Sequence, residues 1–193
     1  MLIAAADEFI LEIKKCVGCE VLALHTDSQF SSEQNNHRAL IRKNIINNYN
    51  SYLSVQEKKN IQNLDLLPHS ENLFFSVSHN QNSGGFTASS FKHGFDIELG
   101  KRISEKIVTR VSTATEVNSS PDYKFLWCAK EAAYKALENS HLVISDFEIS
   151  DWVSQNKTGL WCYRVRSEKT LDLKRNIGFL FALNEQILSI YFK

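Results

Sequence analysis

Proline, glycine, cysteine and methionine are all scarce: 2, 7, 4 and 1 of each in 193 residues. So little proline and glycine excludes collagen-like and low-complexity chains. Four cysteines are too few for a small disulfide-stapled scaffold. Charge of one sign is also lacking, with 22 Lys and Arg against 22 Asp and Glu and a net charge of zero. No nucleic-acid partner is therefore expected, since such binders draw their affinity largely from a basic surface. A local basic pocket for a small phosphorylated ligand is still compatible with that balance. No apolar run approaches the ~20 residues of a membrane span. The start, Met1-Leu2-Ile3-Ala4-Ala5-Ala6, has no basic region, and Asp7 and Glu8 interrupt it. No export signal is expected there, and the expectation is a cytoplasmic protein without membrane attachment.

What is present is close to the globular average, 43% hydrophobic, 23% charged and 11% aromatic. At ~150 residues per domain the length suits one domain or two small lobes sharing a core. Apolar spacing predicts a helix over 2–16, a strand over 19–24 and a helix around Ala39–Ile46, with a shorter helix near Val55–Leu66. Strands are predicted over 73–79, 86–91 and 94–99, and a helix over 107–117. Ser120, as cap, and Pro121, at the first helical position, open a further helix that runs to about Leu137 or Asn139. Four strands follow, over 147–152, 161–165, 177–183 and 187–192, the last two joined as a hairpin across Asn184-Glu185-Gln186. The fold class is α+β.

Three stretches carry chemistry. In Phe95-Asp96-Ile97-Glu98 the strand period puts Asp96 and Glu98 on one side, ~6–7 Å apart. Paired carboxylates repel unless a cation neutralises them, so the pair is either a divalent-metal site or a solvent-facing acidic edge. The helix Phe125–Leu137 gathers Leu126, Ala129, Ala133, Ala136 and Leu137 on a broad apolar side. Glu131 and Lys135 stand one turn apart on the remaining strip, with Lys130 on the apolar flank. They form either an ordinary i,i+4 pair or a ligand site on a helix too apolar for wide exposure. Ser78-His79 closes a strand, as a plain surface turn or as part of a site. No Gly-x-Ser-x-Gly elbow is present to make it a hydrolase.

In this order, Ser-Val-Ser-His at 76–79, Gly-Phe-Asp-Ile-Glu at 94–98 and Trp-Cys-Ala-Lys-Glu-Ala-Ala-Tyr-Lys-Ala-Leu at 127–137, the chain resembles the 4′-phosphopantetheinyl transferases. It is most similar to the monomeric, surfactin-synthetase-activating type that serves nonribosomal-peptide and polyketide synthases. The resemblance covers about residues 73–137, and Arg110–Glu116 is similar to the family's stretch ending in Glu between the acidic strand and the Lys-Glu helix.

The resemblance implies two similar α+β lobes in a pseudo-twofold arrangement, 1–93 and 94–193, with coenzyme A in the cleft between them. It implies transfer of the phosphopantetheine arm of coenzyme A to a serine of an apo acyl or peptidyl carrier protein, releasing adenosine 3′,5′-bisphosphate. Asp96, Glu98 and Glu131 would hold Mg²⁺. Glu131 would also take the serine proton. Lys135, with Lys130 as a second cation, would neutralise the pyrophosphate. Ser78 and His79 would contact the coenzyme A phosphates, and Arg38 the 3′-phosphate. A monomer is expected. The family's Gly-Lys-Pro element before the Ser-His strand is missing: that region reads Asn63-Leu64-Asp65-Leu66-Leu67-Pro68-His69.

Two rival readings remain, a catalytically silent module that grips carrier proteins, and another Mg²⁺-dependent pyrophosphate-cleaving enzyme. The retained carboxylates speak against the first, and the lack of a Gly-rich phosphate loop against the second. Cys16 and Cys19 have half-site spacing without a second pair and read as packing residues. The basic residues Arg38, Arg42, Lys43, Lys58 and Lys59 read either as a solvated face or as a patch that steers an acidic carrier.

Overall fold

The computed structural model describes residues 2–65, 68–137, 141–155, 159–167 and 175–193. Its α+β architecture has two antiparallel sheets. The first contains β1 (Leu22–Asp27), β2 (Phe74–His79) and β3 (Gly84–Ser89) in the order β1-β3-β2. The second contains β4 (His93–Leu99), β5 (Glu148–Gln155), β6 (Leu160–Arg166), β7 (Ile177–Leu183) and β8 (Gln186–Phe192) in the order β4-β8-β7-β6-β5. The helices are α1 (Leu2–Val17), α2 (His37–Asn48), α3 (Val55–Gln62), α4 (Glu105–Val111), α5 (Ala114–Ser119) and α6 (Tyr123–Leu137). None of the described helices is long and apolar enough to cross a membrane.

The two sheets share one connection pattern. In the first, β1 leads through α2 and α3 to the hairpin β2–β3, and β3 inserts between β1 and β2. In the second, β4 leads through α6 to the hairpin β7–β8, and β8 inserts between β4 and β7, with β5 and β6 added at the far side. The likeness of two α+β lobes is thus present as connectivity. It is masked along the chain because β5–β6 and the short helices interrupt the second copy.

Each sheet has its own helix cover. Ile41 and Ile45 of α2 and Tyr49 pack on Phe75, Phe86 and Ala88. Leu126, Ala129, Ala133 and Ala136 of α6 pack on Leu180, Ile187 and Tyr191. The other face of the second sheet, with Phe95, Ile97, Phe179 and Phe181, is covered by Phe9, Ile10 and Ile13 of α1. Phe9 stacks on Phe181 at 4.4 Å between ring centroids. The N-terminal helix therefore closes the core of the later sheet.

Several boundaries differ from the sequence expectation for local reasons. The single helix expected over 107–117 is two helices, because Ser112 is extended and Thr113 caps α5 in a capping box with Glu116. Helix α6 starts at Tyr123, and it is Asp122, not Ser120, whose carboxylate accepts the Lys124 N–H, at 2.8 Å. Strand β1 starts three residues later than expected, after Gly18 turns the chain at φ 69°. The expected helix limits at Leu66 and Asn139, and Leu66 and Leu67 of the stretch before the Ser-His strand, lie outside the described residues.

Candidate functional site

The two sheets meet edge to edge at β2 and β4, and side chains rather than a backbone ladder make the seam. Ser76 Oγ accepts the Phe95 N–H at 2.8 Å and Ser78 Oγ accepts the Ile97 N–H at 3.3 Å. Asn80 Nδ2 donates to Ile97 O at 3.4 Å. The alternation of β2 sends Ser76 and Ser78 toward β4 and leaves Phe75 and Val77 on the α2 side. A polar strand edge is in this way satisfied without extending either sheet.

Asp96 sits at this seam, 2% exposed. Its Oδ1 accepts from Ser78 Oγ at 3.0 Å and from Lys135 Nζ at 2.8 Å. The Lys135 ammonium also donates to Ser78 Oγ at 2.8 Å and to Phe95 O at 3.2 Å, so its three protons have three acceptors. Asp96 Oδ2 is buried without a conventional hydrogen-bond donor, and the Cys128 thiol lies beside the carboxylate.

Two more carboxylates share this field. Burial, then Asp96 and more weakly Glu131, push the Glu98 carboxyl up to about 7 against the opposing pull of Lys135 and Arg102. Burial and Asp96 likewise raise Glu131, with Lys135 opposing. Three half- to fully buried carboxylates thus face one ammonium. Among the described residues no three His, Cys, Asp or Glu side chains stand together as a ready-made metal site. The donor set still fits a hard divalent cation: the oxygens are carboxylates, one buried oxygen lacks a strong donor, and the mutual repulsion is what such an ion relieves.

His79, the next residue after Ser78, turns to the α2 side. With Arg38, Arg42, Ile41, Leu64, Asp65 and Val77 it lines a cavity of about 240 Å³. The His37 ring meets the His79 ring edge-on at 4.5 Å. Burial first, then His37, Lys135 and Arg38, depress the His79 pKa, with a backbone hydrogen bond opposing. Two guanidiniums, Arg38 and Arg42, thus share this cavity with the Asp65 carboxyl.

The residues singled out in the sequence therefore fall into three places. Ser78, Asp96 and Lys135 touch one another, with Glu98 and Glu131 in the same field. Arg38 and His79 share the neighbouring cavity. Lys130 lies apart: it is fully buried and paired with Glu116 at 2.6 Å, and it also donates to Phe147 O. Arg42 was readable only as part of a basic face, yet it is 7% exposed and lines the cavity. Its i+4 spacing from Arg38, next to the buried Ile41 and Ile45, was the available signal.

Residues 92–178 match the family model of the 4′-phosphopantetheinyl transferase superfamily. The matched segment contains β4 and α6, and so Asp96, Glu98, Glu131 and Lys135. No curated protein matches the chain.

Proposed function

We propose that this chain transfers the 4′-phosphopantetheine arm of coenzyme A to a serine of an apo acyl or peptidyl carrier protein. The observation that carries the reading is the family match over the segment that holds the three carboxylates and Lys135. Coenzyme A would lie between the two lobes, read as 1–93 and 94–193, with its 3′-phosphate toward Arg38, Arg42 and His79. Arg42 then supplies a cation in a chain without the Gly-Lys-Pro element.

In the reaction the serine oxygen forms a bond to the β-phosphorus and the pyrophosphate P–O bond breaks. Adenosine 3′,5′-bisphosphate leaves. Glu131 takes the serine proton: burial and Asp96 have already raised its basicity, which suits a general base at neutral pH. Lys135, held at the seam by Ser78 and Phe95 O, places a positive charge where pyrophosphate charge builds up. Asp96, Glu98 and Glu131 would hold Mg²⁺, which when bound supplies charge neutralisation at the phosphate oxygens. Ser78 serves this reading from below, because its hydroxyl is committed to Asp96, Lys135 and Ile97. Its role is to orient those groups.

The test is to incubate the chain with coenzyme A, Mg²⁺ and a panel of apo carrier proteins and to weigh the carriers. The expected result is a gain of one phosphopantetheine, abolished by EDTA and strongly reduced in Glu131→Gln. Coenzyme A binding without any mass gain would instead support a silent carrier-binding module. Coenzyme A hydrolysis without transfer would support another pyrophosphate-cleaving enzyme.

A further inference from the structure

We propose that the buried Glu116–Lys130 ion pair is a positioning device that fixes the rotation of α6 and so holds Glu131 and Lys135 against Asp96. The inference rests on reading that cluster as the transfer site.

The middle of helix α6 turns a smooth face to its surroundings. Between Leu126 and Leu137, which pack at its two ends, Cys128, Ala129, Ala132, Ala133 and Ala136 are all fully buried, and side chains this small interdigitate little, so packing along the middle of the helix defines its rotation weakly. On one side α6 lies flat on β4, so close that a Cβ at Gly94 would stand 2.0 Å from Ala132 O. That contact sets distance, and on this side only Lys135, near the end of the helix, adds a polar tie, to Ser78, Phe95 O and Asp96. On its other flank, besides the Tyr163 hydroxyl that donates to Ala129 O at 3.4 Å, α6 has a charged anchor. Lys130 Nζ is 2.6 Å from Glu116 Oε1, with side chains 0% and 2% exposed, and it also donates to Phe147 O.

Glu116 is itself fixed from two directions. Its Oε1 accepts the Ile149 N–H at 2.9 Å and its Oε2 accepts the Thr113 N–H at 2.8 Å. The pair therefore ties α6 to the start of α5 and to β5. Lys130 and Glu131 are consecutive, about 100° apart around the helix. Any rotation that releases Lys130 from Glu116 carries Glu131 and Lys135 off their alignment with β4. Buried ion pairs add little net stability over apolar replacements. A defined geometry is what this one supplies.

The test is the double variant Glu116→Gln with Lys130→Met, which removes both charges and leaves none buried alone. It is compared with wild type in carrier transfer, in Mn²⁺ titration of the protein alone, and in hydrogen exchange of the α6 amides. Expected is a folded protein whose KM for coenzyme A is unchanged and whose kcat falls about tenfold to a hundredfold, the cost of a small misplacement of reacting groups. Weaker Mn²⁺ binding and faster exchange at Glu131–Lys135 should accompany it. A folded double variant with wild-type kcat, Mn²⁺ affinity and α6 exchange overturns the proposal. Should the double variant not fold, Glu116→Asp keeps the charge and shortens the reach. The same kcat loss is expected there, and an unchanged kcat again overturns the proposal. If wild type transfers nothing to any carrier, the transfer reading has failed. The exchange comparison then still decides whether the pair positions α6.

Discussion

Lys135 Nζ stands 2.8 Å from Asp96 Oδ1 and 2.8 Å from Ser78 Oγ, so one ammonium on α6 joins the edge strands of both sheets. The cluster is held by a residue that approaches from the helix, while β2 contributes one acceptor and β4 two. Its electrostatics are lopsided, because Glu98 and Glu131 share the same cation.

Lys135→Met should therefore destabilise the fold at neutral pH by about 2–4 kcal/mol, since it leaves the buried Asp96 without its cation and with only the Ser78 hydroxyl. Urea unfolding at neutral pH measures it. Asp96→Asn added to Lys135→Met should recover most of the loss. A double variant no more stable than Lys135→Met alone would show that the ion pair is not the source of the effect.

Gly94 lets α6 approach β4. A Cβ there would meet Ala132 O at 2.0 Å and Ala136 N at 2.5 Å, both backbone atoms that yield only if the helix moves. Gly94→Ala is expected to cost about 3 kcal/mol or more and to lower transfer with it. At Gly100 the nearest atom to an added Cβ is Ile187 Cδ1 at 3.4 Å, the end of a flexible side chain. Gly100→Ala should stay within about 1 kcal/mol of wild type. Equal effects at the two glycines would remove close approach as the explanation.

The legible part of this molecule was the part with strong local periodicity. Alternation over 94–99 places Phe95 and Ile97 in the α1-side core and Asp96 opposite, and helical spacing over 125–137 gives the alanine face of α6. Contacts between elements distant in sequence were not readable. Nothing near Lys130 in the chain says that its partner is Glu116, since α5 packs there only after the break at Thr113. Thr113 and Glu116 have the spacing of a capping box, which the expectation of one helix over 107–117 passed over, and the box itself says nothing of the second role of the same carboxylate. Ser76 is a similar case: its hydroxyl satisfies a backbone N–H of a strand 19 positions away, which no pattern of period two can show.

Arg42 is the residue that tests whether the cavity it lines with Arg38 takes a phosphate. Burial and Arg38 both act to lower its pKa, so an anion in the cavity would relieve two crowded cations. Arg42→Gln should raise the KM for coenzyme A about tenfold with kcat nearly kept, roughly the worth of one charge-assisted contact. Lys43→Gln, exposed on the next position, should change neither. If Lys43→Gln weakens carrier use while Arg42→Gln leaves coenzyme A unaffected, the helix serves the carrier instead.

His93 gives the fold a titration of its own, away from the carboxylates. It is 4% exposed at the start of β4, with Nδ1 on Phe91 O at 3.0 Å and Nε2 on Thr87 Oγ1 at 2.6 Å. Since Phe91 O can only accept, Nδ1 carries the proton and Nε2 accepts from Thr87. Burial holds the imidazole neutral and depresses its pKa from 6.5 to about 4. Between those values the unfolded chain binds a proton that the folded one does not, so unfolding gains on folding as the pH falls. The contribution is full above pH 6.5, declines below it and is gone near pH 4, amounting to roughly 3 kcal/mol. Urea unfolding from pH 7 to pH 4 in wild type and His93→Gln isolates it. The variant should be less stable at pH 7 and should lose less on acidification, and parallel profiles for the two proteins would rule His93 out as the group that titrates.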